Sequence, residues 1–309
     1  MKKLLIASIA FTALIAGSAT AADLARPVYR RPVVYAPVAS WTGFYVGVNV
    51  GANWGMSSLN HTAVAGPCNP AFGGCVAPPA TQYSSILAAA STFHVAGSNK
   101  ASFIGGGQIG YNYQLGSWVA GIEADIAGMS RNNNDGAFAV IAPNPAFPGF
   151  SEAYTATATR QLNYLGTLRG RFGFLATPSL LVFGTAGLAY GEVQSTTTEF
   201  VTLLLTTNTV PGLGGGSFSQ TGAGWTAGAG LEWMLARNWS VKGEYLYYDL
   251  GNVSYNTALS QVCLSAACAA PGGVFASSAG STSFRYIGNV VRVGLNYKFG
   301  YAAAPADSR

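Results

Sequence analysis

The chain has 309 residues, 50% of them hydrophobic and only 9% charged, with 40 Gly, 16 Tyr and 16 Phe. That mix excludes a disordered chain and does not suit an ordinary cytosolic enzyme, which carries more charge. Against 11 acidic residues stand 16 basic ones, an excess too small and too dispersed to argue for nucleic acid.

Lys2 and Lys3 precede an apolar run from Leu4 to Ala16, and Ala19-Thr20-Ala21 supplies small residues for cleavage. Residues 1–21 therefore read as a secretory signal peptide, the run being too short for a membrane span. Cleavage after Ala21 makes Ala22-Asp23 the mature N-terminus. It leaves 14 basic residues against 11 acidic, a net charge of +3. No other segment approaches the ~18 consecutive apolar residues of a transmembrane helix.

Residues 22–40 carry Pro27, Pro32 and Pro37 together with Arg26, Arg30 and Arg31. Proline at this density predicts an extended periplasmic linker rather than helix or sheet. Two readings of it stand side by side: a tether reaching the anionic peptidoglycan, and an unstructured leader with no partner.

Between residues 41 and 300 the pattern changes to strict alternation, the mark of strands whose two faces meet different solvents. Phe44, Val46, Val48, Val50 and Trp54 share one face opposite Tyr45, Gly47, Asn49 and Gly51. Phe103, Ile109, Tyr111 and Tyr113 oppose Gln108, Gly110 and Asn112. Trp118, Ile122 and Ile126 oppose Glu123 and Asp125. Leu162, Tyr164, Leu168, Phe172 and Phe174 oppose Asn163, Thr167, Arg169 and Arg171. Val182, Leu188 and Tyr190 form the weakest segment, with Phe183 on its polar side. Trp225, Leu231 and Trp233 oppose Glu232, and Trp239, Val241, Tyr245 and Tyr247 oppose Lys242 and Glu244. Val291, Val293, Leu295, Tyr297 and Phe299 oppose Arg292 and Lys298.

Eight such segments are joined by connections that alternate in length. Those near residues 115–117, 176–179 and 235–238 are tight turns. Those near 56–100, 130–158, 194–220 and 252–283 are long and rich in Gly, Ser, Thr, Asn and Ala. This sorting predicts an all-β fold: an eight-stranded antiparallel transmembrane β-barrel with short periplasmic turns and long external loops. Tyr113, Trp118, Phe174, Trp233, Trp239 and Phe299 flank the short turns, where an interfacial girdle belongs. Apolar faces turned inward would crowd a narrow lumen with Trp and Tyr, so they are expected to face lipid.

The charged faces then line the lumen. Counting from the turns places Glu123 and Asp125 at nearly the same height as Arg169 and Arg171 on the next strand, and Lys242 and Glu244 beside Arg292. Glu232 lies on the strand before, and Lys298 completes the set. Charge withdrawn from water is costly unless paired, so the expected arrangement is a cross-linked plug; a continuous ion path is the alternative.

Other chemistry is thinner. Cys68 with Cys75, and Cys263 with Cys268, suit disulfides in an exported chain rather than a zinc hairpin, free thiols in loops being the alternative. Four cysteines allow three connectivities, local pairing being the simplest. Residues 105–110 match a dinucleotide fingerprint, but inside a strand and with no helix following, so the match is set aside. The two histidines, His61 and His94, fall in the first long connection, where solvated side chains are expected; ligation of haem iron or a metal is the sharper alternative. With no nucleophile and base at one rim, neither an enzyme nor a cofactor is expected.

Together "WTGFYVGVNVGANWG", "GGGQIGYNY", "GIEADI", "LGTLRGRFG", "GTAGLAYG" and "VRVGLNYKF" resemble the alphaproteobacterial RopB-type outer-membrane proteins, among the OmpA-like, porin-like small barrels. The likeness covers roughly residues 40–300. It implies an abundant surface protein that stabilises the cell envelope, with small-pore or haemin-binding roles in some relatives. Its partners would be outer-membrane lipid, lipopolysaccharide and the barrel assembly machinery. The Ala22-Asp23 start resembles that of relatives attached to peptidoglycan. A tail at 301–309 beyond Phe299 and the four cysteines lie outside the family's usual pattern.

Overall fold

The computed structural model describes residues 40–55, 57–65, 92–95, 100–130, 136–143, 151–204, 209–262 and 274–299. The signal peptide, all of the linker but Ser40, the Ala22-Asp23 start, the four cysteines and the tail lie outside the described residues.

Among the described residues every element is a strand. They are β1 (Gly43–Gly55), β2 (Leu59–Ala65), β3 (Phe93–Val95), β4 (Ala101–Leu115), β5 (Trp118–Met129), β6 (Gly136–Pro143), β7 (Ser151–Thr177), β8 (Leu180–Leu204), β9 (Thr209–Ala236), β10 (Trp239–Val262) and β11 (Val274–Lys298). Eight of them, β1, β4, β5, β7, β8, β9, β10 and β11, pair in that order. The ring closes where β11 returns to β1, from Tyr45 opposite Lys298 to Gly55 opposite Gly288. Closure gives each of these eight strands a neighbour on both sides, the condition for strands to cross lipid. Gly116, at φ 62°, makes the tight turn between β4 and β5.

The apolar faces point outward as the alternation requires. Val48, Ile122, Phe172, Leu231 and Val293 are all more than half exposed. Trp118, Trp233, Trp239 and Phe299 ring the short-turn end, and Trp225 lies at the opposite border. From Trp233 to Trp225 the rise is roughly 20 Å, at ~3.3 Å per residue and ~40° tilt. That matches the ~25 Å apolar band of a membrane barrel. Leu168 sits within this band with its side chain outward. We expect Leu168→Arg to destabilise the lipid-embedded barrel by about 2–4 kcal/mol. Unfolding midpoints in urea, measured in bilayers, check this; an unchanged midpoint would contradict the lipid-facing assignment.

Within the four long connections, expected as loops, the described residues are largely wall. β2 and β3 occupy the first, β6 and the start of β7 the second, and the far halves of β8 to β11 the rest. β2 carries on the line of β1 along β11, from Leu59 opposite Phe284 to Ala65 opposite Ser278. Beyond Tyr190, β8 advances about 35 Å further. The reason is a change of solvent. Outside lipid the strand's outer face meets water, so the alternation inverts: Val193, Val201, Val253, Leu259 and Phe284 point inward, while Thr196, Thr198, Asn256 and Ser283 point out.

Two bulges help the inversion. β7 shifts register between Leu162 and Leu165, and β10 between Asp249 and Asn252, where Gly251 adopts φ 84°. The first of these corrects Leu162, which the alternation places outward. The extra residue swaps the faces, and Leu162 is buried inside.

Candidate functional site

Inward positions of β5, β7, β9, β10 and β11 bring four cations and four carboxylates together inside the ring. Glu123, Asp125, Arg169, Arg171, Glu232, Lys242, Glu244 and Arg292 are each at most 5% exposed. Strand register supplies the neighbours: Glu123 opposite Arg169, Lys242 opposite Glu232, Glu244 opposite Arg292. Asp125 faces Thr167 and Arg171 faces Gly121, so the two pairs lie at nearly the same height, offset by two residues.

Contacts across the lumen tie the strands together. Arg169 donates to Glu123 at 2.5 Å, Glu244 at 2.6 Å, Asp125 at 2.9 Å and the Thr167 hydroxyl at 2.8 Å. Arg292 forks onto both oxygens of Asp125 at 2.9 and 3.0 Å and reaches Glu244 at 2.8 Å. Lys242 donates to both oxygens of Glu123 at 2.7 and 2.8 Å. Arg171 holds Glu232 at 2.6 Å and lies 4.1 Å over the Phe183 ring. That contact explains why Phe183 occupies a polar face: its ring is a platform for a guanidinium. Tyr45 donates to Glu123 at 2.6 Å and accepts from Arg171 at 3.1 Å. Gly110 makes room, since a methyl there would strike the Tyr45 phenol. Charge-assisted bonds of this density fill the section that four unit charges of each sign occupy.

Lys298, expected in this network, stands apart from it. It is half-buried at the short-turn mouth beside a void of about 10 Å³ shared with Trp41, Tyr45 and Glu232, with no carboxylate of the described residues within 4 Å. It is the last residue of β11, opposite Tyr45, and is partly exposed at the mouth.

Apolar layers seal the network on both sides. At the short-turn end Trp41, Val119, Leu181, Phe183 and Met234 pack together. Trp41 spans the opening, its amide donating to Gln114 at 2.8 Å and its indole N–H to the Pro178 carbonyl at 3.2 Å. Toward the other end a larger cluster runs through Leu165, Leu246, Tyr248, Val290, Tyr286, Phe284 and Leu259.

Inside that cluster lies a second polar layer, which sequence reasoning missed. His61 is buried, not solvated: β2 docks on β11 and brings it opposite Thr282. Its Nδ1 lies 2.8 Å from the Thr282 hydroxyl and its Nε2 3.5 Å from Glu199, and its ring stacks on Phe93 at 4.8 Å. Burial lowers the imidazole pKa to about 4 and raises that of the Glu199 carboxyl. Thr197 and Ser195 both bond the Tyr255 hydroxyl, at 2.6 and 3.0 Å. His94, by contrast, is exposed on β3 and pairs with Asn60 at 2.6 Å. The signal for Glu199 was available: it continues the inward series Val193, Ser195, Thr197 inside a stretch whose Thr and Ser content suggests a loop.

Comparison with known proteins settles the family. Residues 9–299 match the outer membrane protein beta-barrel domain. The chain belongs to that family. A 31 kDa outer-membrane immunogenic protein of Brucella melitensis is 33% identical over 304 residues, 97% of this chain and 100% of that protein. A 22 kDa outer membrane protein of Rhizobium leguminosarum is 27% identical over 231 residues, 72% of this chain and 81% of its own. A 25 kDa outer-membrane immunogenic protein of Brucella abortus is 27% identical over 264 residues, 84% of this chain and 89% of its own. This outer-membrane barrel therefore has its short turns in the periplasm and its extended wall outside the cell.

Proposed function

We propose that the barrel is a closed structural element of the outer membrane, acting neither as a channel nor as an enzyme. The observation that carries this reading is the neutral lumen network, four cations against four carboxylates, joined by bonds of 2.5–3.0 Å from strand to strand. An ion passing through would have to part these pairs, leaving buried charge uncompensated. Trp41 and its apolar neighbours add a second barrier at the periplasmic mouth. The lipid-facing band, with its aromatic girdle, anchors this cross-braced tube among lipid and lipopolysaccharide.

The channel alternative requires water along the axis, and the haemin-binding alternative requires an accessible imidazole. His61 is sealed in the wall, which leaves His94 on the surface. In planar bilayers the purified, refolded protein should give no conductance steps above the bare membrane. Regular ohmic steps from the unmodified protein would replace this reading with a small pore. Deletion in the host should raise sensitivity to detergent, restored by the unmodified gene; unaltered sensitivity would remove the structural role.

A further inference from the structure

The external wall holds the one inward carboxylate among those discussed that no Arg or Lys of the described residues approaches within 4 Å. In the membrane layer Glu123, Asp125, Glu232 and Glu244 each touch a guanidinium or ammonium group. Glu199, on β8 and only 1% exposed, faces the imidazole of His61 on β2 instead. We propose that His61 and Glu199 bind a single zinc-class divalent cation inside the extracellular wall, with Thr257 and Tyr154 as neighbouring oxygen donors.

Four observations converge on this site. First, His61 Nε2 and Glu199 Oε1 stand 3.5 Å apart with no hydrogen bond between them. Two tetrahedral ligands at ~2.1 Å from one ion stand about 3.4 Å apart. Second, the other ring nitrogen is already held: Nδ1 lies 2.8 Å from the Thr282 hydroxyl, and in the tautomer that donates Nδ1–H to it Nε2 turns its lone pair on the carboxylate. A fixed tautomer of that kind is the usual support for a metal-bound imidazole. Third, the Tyr154 hydroxyl and Thr257 Oγ1 are buried beside the pair and both face the Glu199 carboxyl, so two further oxygen donors converge on it. Fourth, the space is kept clear by Gly280, where a Cβ would strike both the imidazole and the Thr257 hydroxyl. One imidazole nitrogen with oxygen donors suits zinc-class ions better than calcium or magnesium, which prefer oxygen alone. The donors come from β2, β7, β8 and β10, so the ion would clip β2 to the far side of the barrel.

The site is enclosed, so the ion is to be supplied during refolding. Full-length protein refolded with Zn2+ in detergent, passed through a chelating column and assayed for metal, should retain one zinc per chain. His61→Ala and Glu199→Gln should retain none, whereas His94→Ala, which removes the surface histidine, should match the unmodified protein. Absence of zinc from the unmodified protein, or equal retention by both site variants, overturns the proposal and leaves a His–Glu pair that shares a proton. If both variants fail to fold, X-ray absorption of the zinc-loaded unmodified protein decides. One nitrogen with oxygen neighbours supports the site; an all-oxygen shell overturns it.

Discussion

Arg169→Ala is expected to lower the unfolding free energy of the barrel by about 3–5 kcal/mol, the usual cost of removing one partner from a buried ionic network. The guanidinium bonds Glu123, Asp125 and Glu244 together and is 1% exposed. Alanine would leave four carboxylates, Glu232 among them, sharing Lys242, Arg171 and Arg292, with a net lumen charge of −1. Arg237→Ala is the control. It sits exposed in the turn between β9 and β10, and its loss should move stability by less than about 0.5 kcal/mol. Urea titrations of the two variants in lipid vesicles provide the comparison. Equal midpoints would contradict the interior role of Arg169, and new conductance at unchanged stability would move the functional reading to a pore.

A second large effect concerns the pair Lys242 and Glu123, which meet across the lumen from β10 and β5. Each of Lys242→Met and Glu123→Gln should destabilise the barrel by about 3–5 kcal/mol, because each strands a buried opposite charge. The double variant removes both charges and should cost less than the sum, by about 0.5–3 kcal/mol. Glu123 also accepts from Arg169 and Tyr45, so the double variant is not expected to recover the unmodified stability. Strict additivity of the two single effects would show that they do not interact across the lumen.

Much of the transmembrane half was legible from residue order. Period-two alternation assigned Val48, Ile122, Phe172 and Val293 to lipid and Glu123, Arg169, Glu244 and Arg292 to the lumen, because a barrel wall gives each residue only two directions. Sorted turn lengths fixed the up-and-down connectivity, and the aromatic residues marked the membrane border. These are local signals, readable within a dozen residues.

The external wall was not legible in that way. Its outer face meets water, so Thr, Ser, Asn and Gly take the places that Val, Ile and Phe hold in lipid, and the composition of a loop results. The bulge at Leu162 swaps inside for outside on one strand, and no single-strand pattern reveals where an extra residue falls. Heights in the lumen also depend on how neighbouring strands slide past one another, which is why Arg171 lies opposite Gly121 and Lys298 at the mouth. Most of all, the meeting of His61 with Glu199 spans 138 positions of chain and exists only because β2 docks on β11 as the ring closes. Within the regular transmembrane strands, short of the bulge at Leu162, sequence alone determined which residues could face lipid, since that choice is made one residue at a time. Only the tertiary structure decided which inward charges meet, because partners in a closed barrel are chosen by register and circumference.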